Sequence, residues 1–278
     1  MVSVIIPAFN EEKVISRCLN ALIDYKQQLD IIVVCNGCTD NTAKVVQSNF
    51  LDVRVILVET ASKVNAVNLG LKQCKYQQVM LVDADIIFPF SELNRLVRFA
   101  EERKLMVASP IADVELTNSS IFVRAFYKVA LRLPYYTKLK ISAVIYLSAE
   151  GRQKLGTLPD LISDDDYIRL SFSENQKKLV KELSYKLFAP IKYWGLIKIL
   201  SRSHLGNKEL KKRYAHLFLN QRQQPSYSLF KLAKNLLLWP SLIIFVGTKI
   251  IVRVRAYFQF KKLSRYQWEK DESSRVIK

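Results

Sequence analysis

Glycine and proline are scarce in this chain of 278 residues, at seven and eight, which excludes a collagen-like repeat and a Pro/Gly-rich disordered chain. No Gly-rich phosphate cradle is present, neither G-x-G-x-x-G nor a P-loop, so a dinucleotide or ATPase site of that kind is disfavoured. Histidine is limited to His204 and His216, and the four cysteines (Cys18, Cys35, Cys38, Cys74) all precede them by more than a hundred residues. Cys35-Asn-Gly-Cys38 has the CxxC spacing, but a four-ligand zinc set is missing and the context is not thioredoxin-like. Reduced thiols of a cytosolic protein are therefore expected. Met1 leads directly into an apolar run with no basic segment before it, so no N-terminal signal peptide is expected.

Hydrophobic residues make up 50% of the chain, enough to bury a sizeable core. The length suits one large domain, or a core domain with a C-terminal extension. The formal charge of +18 is uneven: residues 1–100 carry ten Lys/Arg and ten Asp/Glu, and residues 101–278 carry thirty-three against fifteen. A neutral head and a basic tail point to different partners.

Apolar runs and helical periodicity alternate through the first 110 residues. Ser3–Pro7, Ile31–Val34, Val53–Val58, Val79–Val82 and Met106–Ser109 read as buried strands. Helices are expected after Asn10 as N-cap with Glu11 and Glu12 in the first turn, after Thr39 or Asp40, over 64–73 and over 91–104. This alternation predicts an α/β fold, a doubly wound and mainly parallel sheet with helices on both faces. In such sheets ligands sit beyond the carboxyl ends of the strands. Pro7–Glu11, Cys35–Asp40 and Asp83–Asp85 all fall there. Asp83-Ala84-Asp85 offers two carboxylates, hard oxygen donors for a divalent cation or partners across it to a phosphate.

Val2–Glu12, Ile32–Thr42, Lys63 with Asn68 and Gly70, and Asp83–Asp85 follow one another in an order and spacing that resembles the family 2 glycosyltransferases. The resemblance implies a GT-A fold, a nucleotide-diphosphate sugar as donor, and inversion at the anomeric carbon. Carried over by position, Pro7, Phe9 and Glu11, with Ala8 between them, border the nucleoside. Asn36 stands where the family usually has an Asp that contacts the base, Cys35-Asn36 replaces the common Asp-Asp pair, and Cys38 replaces a frequent Ser. Lys63 lies near the donor. Asp83 and Asp85, with Ala84 between them, form the metal and diphosphate motif for Mn2+ or Mg2+, with Asp85 the more direct ligand.

Displacement at an anomeric carbon needs a base for the acceptor hydroxyl and a stabiliser for the departing diphosphate. Ser163-Asp-Asp-Asp-Tyr-Ile168 is the densest acidic cluster of the basic region. Adjacent carboxylates repel and raise the pKa of one of them; an acidic loop capping a helix over Tyr167–Phe172 is the plainer alternative. The cluster resembles the family's acidic motif, which makes Asp165 the base and Asp164 the runner-up. Ser148–Arg152 and Leu155–Pro159 look like the lead-in to that motif. The Gln-x-x-Arg-Trp motif of the family's processive synthases is absent, which favours addition of one sugar per acceptor. Arg202 is the remaining candidate for the diphosphate.

The expected domains are a catalytic one over 1–180 (nucleotide-sugar half 1–110, acceptor half 111–180) and a basic helical region over 181–278. The latter holds the apolar segment 236–252, interrupted by Pro240 and Lys249, at the short edge of a transmembrane span. Lys231, Lys234, Arg253, Arg255, Lys261 and Lys262 flank it, with Trp239, Tyr257 and Phe258 suited to an interface. A segment lying in the plane of an anionic membrane surface, at the cytoplasmic face, is favoured over a buried core helix. The basic, aromatic stretch Phe122–Tyr146, with Arg124, Lys128, Arg132, Lys138 and Lys140, is placed on the acceptor side. No nucleic-acid-binding motif is visible, and charge interleaved with aliphatic runs suits lipid better than a phosphate backbone. The expected acceptor is lipid-linked or a glycan, as in bacterial cell-surface polysaccharide assembly. A nucleotidyltransferase-like or non-catalytic sugar-nucleotide-binding protein is the alternative. The tail Trp268–Arg275 resembles the ending of some bacterial family members.

Overall fold

The structure, a computed structural model, describes residues 1–23, 29–136, 140–220, 229–261 and 271–276. Lys138, Lys262 and residues 268–270 of the tail lie outside the described residues. The chain forms two compact units. The first comprises Met1–Asp113, Ile141–Asp160 and Asp164–Leu187, and the second Val114–Lys140, Leu161–Ser163 and Phe188–Lys278.

The strands are β1 (Val2–Ala8), β2 (Asp30–Asn36), β3 (Arg54–Val58), β4 (Gln78–Val82), β5 (Ile86–Ile87), β6 (Val107–Glu115), β7 (Val144–Leu147) and β8 (Lys177–Phe188), in the order β3-β2-β1-β4-β7-β6-β8-β5. β1 pairs parallel with β2 and β4, and β2 with β3, as the βα alternation predicts. Beyond β4 the pairing turns antiparallel, β4 with β7, β7 with β6, and β5 with β8. The expected fifth strand is thus β6, which lies outside β7 and not beside β4. The cause is Val144–Leu147, fully buried residues that take the place next to β4. The first three of them close the basic, aromatic stretch Phe122–Tyr146, which overlaps the amphipathic helix α5 (Ile121–Ala130) and so carries no strand signal of its own.

Side chains alternate across a strand, and here the alternation separates two cores. Val4, Ile6 and Ala8, with Ile31 and Val33, pack on one face with Ile15, Cys18, Leu19 and Leu22 of α1 (Ile15–Leu22) and Val46 of α2 (Thr42–Asn49). Ile5, Ile32 and Val34 pack on the other with Val64, Ala66, Val67 and Leu71 of α3 (Lys63–Gln73). α4 (Phe90–Glu102) joins the first face through Leu93, Leu96 and Ala100. α6 (Ala149–Leu155) and α7 (Asp164–Ser171) join the second through Leu155 and Ile168. The second unit is helical: α5, α8 (Tyr193–Arg213), α9 (Leu229–Ala233) and α10 (Trp239–Lys261), around Phe126, Val129, Leu196 and Phe245.

Two helix starts differ from expectation. α1 begins at Ile15, its first turn anchored by bonds from the Val14 and Ile15 amides to the Glu11 carbonyl. Asn10 is not its cap but a left-handed residue at φ 53, a conformation Asn tolerates well. α7 begins at Asp164, so the acidic cluster is its first turn and not a preceding loop; carboxylates there face the positive end of the helix dipole.

Gly70 is the residue that lets α3 lie on the sheet: a Cβ there would stand 2.5 Å from Ile5 Cγ2. Gly247 in α10 has open space around the same position. Gly70→Ala is therefore expected to lower unfolding free energy by about 1–3 kcal/mol through overpacking. Gly247→Ala is expected to be neutral or to raise it by up to about 1 kcal/mol. Urea denaturation of both variants checks the contrast.

Candidate functional site

The parallel pairing brings the carboxyl ends of β1, β2 and β4 together, with Ala8 opposite Cys35 and Ile5 opposite Leu81. The loops that leave these ends are laced to one another. Asn10 Oδ1 accepts the amides of Thr39 (2.7 Å) and Asp40 (3.3 Å). The Glu11 amide donates to Thr42 Oγ1 at 2.7 Å, and the Glu12 amide to Asp40 Oδ2 at 3.1 Å. Asn36 is buried and its side-chain amide donates to the Ala8 carbonyl at 2.9 Å. Gly37, at φ 62, turns the chain where a Cβ would meet Ala61 at 2.7 Å, and its amide reaches the Val58 carbonyl at 2.7 Å. Phe9 is half-buried, Glu11 is buried, and Ala8 and Ala84 belong to the core and act as spacers.

Lys63 is the first residue of α3, whose N-cap Ser62 accepts the Asn65 amide at 3.2 Å. Its Nζ lies 3.0 Å from Asp83 Oδ1 and 3.3 Å from Asp164 Oδ2. Burial works against the lysine charge, but the carboxylates of Asp164, Asp83 and Asp165 outweigh it and hold the pKa of Lys63 well above its ordinary value. Asp83 moves the other way from most paired carboxylates. Burial, together with Asp85 and Asp164, raises its pKa in spite of Lys63. The Asp83 amide donates to the Ala143 carbonyl at 2.8 Å, so the end of β4 is fixed against the segment before β7.

The three acidic residues at the start of α7 are not equivalent. Asp166 is buried and held by Arg169, with Oδ1 at 2.9 Å from Nε and 2.7 Å from a terminal nitrogen. Asp164 is buried against Lys63. Asp165 accepts the Asp166 amide at 2.9 Å and, with Pro7, Lys63, Asp83 and Asp164, lines a pocket walled by Val67, Leu81, Val82, Ala143 and Ile145. Asn68 links α3 to the approach to α7: it donates to the Leu158 carbonyl at 2.8 Å and accepts the Leu158 amide at 2.9 Å.

The expected residues Pro7, Lys63, Asp83, Asp164 and Asp165 therefore meet in one pocket of the first unit. Arg202 is part of α8, in the second unit, and is not among the residues lining that pocket. Sequence reasoning missed Tyr185 and Ser142. Tyr185 is buried on β8 with its hydroxyl 3.5 Å from Ser142 Oγ. Burial, and the negative charges of Asp83, Asp165 and Asp85, push its pKa up. The alternation Leu183-Ser-Tyr185-Lys, buried and exposed in turn, was the signal that would have marked this strand.

Among the described residues no group of three or more His, Cys, Asp or Glu side chains forms a metal cage. Asp83 and Asp85 are still a fitting donor set for Mn2+ or Mg2+. Each brings a hard carboxylate, their mutual repulsion is what a cation relieves, and such ions commonly take one or two carboxylates plus phosphate oxygens and water.

All four cysteines are free thiols. Cys38 is the reactive one by environment. Its sulfur accepts the Asn10 amide at 3.4 Å, its thiol donates to the Ala8 carbonyl at 3.3 Å, and the neighbouring Cys35 thiol lowers its pKa against the effect of burial. Burial raises Cys18, and its hydrogen bond to Cys38 raises Cys35. Iodoacetamide at about pH 7.5, roughly a unit below an ordinary thiol pKa, is expected to modify Cys38 ahead of the other three. Peptide mass mapping over time checks this; equal rates at Cys38 and Cys74 would contradict the assignment.

Over 110 residues the chain is 33% identical to undecaprenyl-phosphate 4-deoxy-4-formamido-L-arabinose transferase of Proteus mirabilis, covering 36% of this chain and 34% of that protein. Over 90 residues it is 33% identical to poly-beta-1,6-N-acetyl-D-glucosamine synthase of Staphylococcus aureus, covering 31% of this chain and 22% of that protein. The matched regions thus span about a third and about a fifth of these relatives. In fold it resembles the mannosyltransferase PcManGT from Pyrobaculum calidifontis, solved with GDP-Man and Mn2+, at TM-score 0.62 and 18% identity, over 94% of this chain and 86% of that one. The mixed sheet with helices on both faces is thus a GT-A fold. The family model for glycosyl transferase family 2 matches residues 3–153, more than half of the chain and all the motifs up to the approach to α7, and the chain belongs to that family.

Proposed function

We propose that this chain transfers a sugar from a nucleotide-diphosphate donor to a lipid-linked or glycan acceptor, with inversion, as a step of bacterial cell-surface polysaccharide synthesis at the cytoplasmic face of a membrane. The observation that carries the reading is the meeting of one lysine, Lys63, with Asp83 and Asp164 beside Asp165 in a single pocket at the strand ends. That pocket offers both things the chemistry asks for, a positive group for a leaving diphosphate and a carboxylate for the acceptor's proton.

In this reading Pro7, Phe9, Glu11 and Asn36 border the nucleoside, and Lys63 meets the diphosphate. A divalent cation held by Asp85 and Asp83 would neutralise the charge that develops on the leaving group. Asp165 takes the proton of the acceptor hydroxyl. The freed oxygen forms the bond to the anomeric carbon as the bond to the diphosphate oxygen breaks, and the electron pair leaves with the nucleoside diphosphate. One displacement of this kind inverts the centre. Asp165 is preferred because it lines the pocket and stands at the position that the resemblance to the family's acidic motif makes the base. The neighbour solved with GDP-Man and Mn2+ and the two relatives, named as an undecaprenyl-phosphate sugar transferase and a poly-N-acetyl-D-glucosamine synthase, support the donor class and the setting.

A panel of sugar nucleotides, titrated with and without Mn2+, is expected to give saturable binding of at least one member. No binding to any of them would overturn the reading. Asp165→Asn is expected to lower turnover by about 10²–10⁴-fold while donor affinity stays within about threefold. Normal turnover in that variant would place the base elsewhere.

A further inference from the structure

We infer that the outer face of α10 is a docking surface for an anionic lipid bilayer, and that the helix lies in the plane of the membrane and does not cross it. Leu236–Lys261 is long and apolar enough to span, with a mean hydropathy of 1.8 in its most apolar window. Its two faces are nevertheless different. Ser241, Phe245, Thr248, Val252 and Ala256 are buried at spacings of three and four, one continuous stripe. Ile243, Val246, Ile250, Val254, Tyr257 and Phe258 lie on the opposite face and are exposed, Ile243 to 69% and Ile250 to 56%.

The buried stripe is committed to other helices of the second unit. Phe245 stacks on Phe126 of α5 with ring centroids 5.1 Å apart. Thr248 Oγ1 lies 2.8 Å from the Tyr193 hydroxyl of α8. α8 also carries Lys198, Arg202, Lys208, Lys211, Lys212 and Arg213, and a helix so charged does not enter hydrocarbon. α10, packed along α8, is therefore not surrounded by lipid on all sides. Only its outer stripe is available, the geometry of an interfacial helix.

Charge identifies the occupant. The second unit through Lys261 carries nineteen Lys/Arg and two carboxylates, Glu115 and Glu209, and Glu209 is paired with Arg213 at 2.9 Å. Lys261 lies 4.7 Å from the Tyr257 ring, and Arg255 5.5 Å from that of Trp194, cations beside aromatic rings at the margins of the stripe. A second copy of the same face would bring like charges together, whereas anionic headgroups complement them. The inference stands apart from the glycosyl-transfer reading, since it uses no residue of the pocket.

Purified full-length protein is sedimented with vesicles of phosphatidylcholine alone and with about a quarter phosphatidylglycerol. Binding at least about tenfold stronger to the anionic vesicles, weakened at about 0.5 M NaCl and released by alkaline carbonate, is the expected result. Ile243→Glu/Ile250→Glu is expected to lower that binding at least about tenfold with an unchanged circular dichroism spectrum and melting temperature. Lys234→Glu/Arg253→Glu is a second variant that leaves the apolar stripe intact, and it is expected to weaken anionic binding without unfolding. Equal binding to neutral vesicles, resistance to carbonate, or unchanged binding in both variants would overturn the inference. So would a wild-type dimer that Ile243→Glu/Ile250→Glu converts to monomer. Donor binding measured on the same preparations reads the pocket separately.

Discussion

One ammonium group holds the first unit's site together. Asp83 at the end of β4 and Asp164 at the start of α7 are far apart in sequence, and Lys63 bonds both. Without that charge, Asp83, Asp85, Asp164 and Asp165 would face one another as like charges in a partly buried space, an arrangement that mutual repulsion disfavours. Even with Lys63 in place, burial and the neighbouring carboxylates hold the pKa of Asp83 above its ordinary value. A pocket tuned in this way has an excess of negative charge that a divalent cation relieves, beside a lysine that an anionic phosphate suits.

α3 is the element that delivers this lysine, and three of its residues each fasten a different part. Gly70 allows the helix to rest on Ile5 of β1. Asn68 grips the backbone of Leu158 on the way to α7. Lys63, set at the helix start by the Ser62 cap, reaches both strand end and acidic turn. Their spacing of five and two is explained by one helix touching a strand, a loop and a pocket.

Much of this was legible because the physics is local. The strands β1 to β4 announce themselves as short apolar runs, and their parallel ladder follows from the helices between them. The motif residues fell at strand ends, where chain direction alone puts them near one another. What escaped was decided by long-range pairing. β7 is four residues long and sits inside a basic stretch, so nothing local marked it as the neighbour of β4. Tyr185 comes beside the carboxylates only through β8. Asn10 looked like a helix cap, yet its side chain is spent on the loop of Thr39 and Asp40. The second unit repeats the lesson: apolar residues on both sides of α10 read as one hydrophobic segment in sequence, but only packing divides them into a buried and an exposed stripe.

In the proposed function Lys63 exchanges a carboxylate partner for a diphosphate. Calorimetric titration of wild type and Lys63→Met, using the nucleoside diphosphate that binds wild type best and the matching nucleoside, tests it most directly. Diphosphate affinity is expected to fall at least about tenfold, or about 1.4 kcal/mol, with nucleoside affinity unchanged and part of the loss restored in Lys63→Arg. Equal affinity of wild type and Lys63→Met for the diphosphate would contradict it.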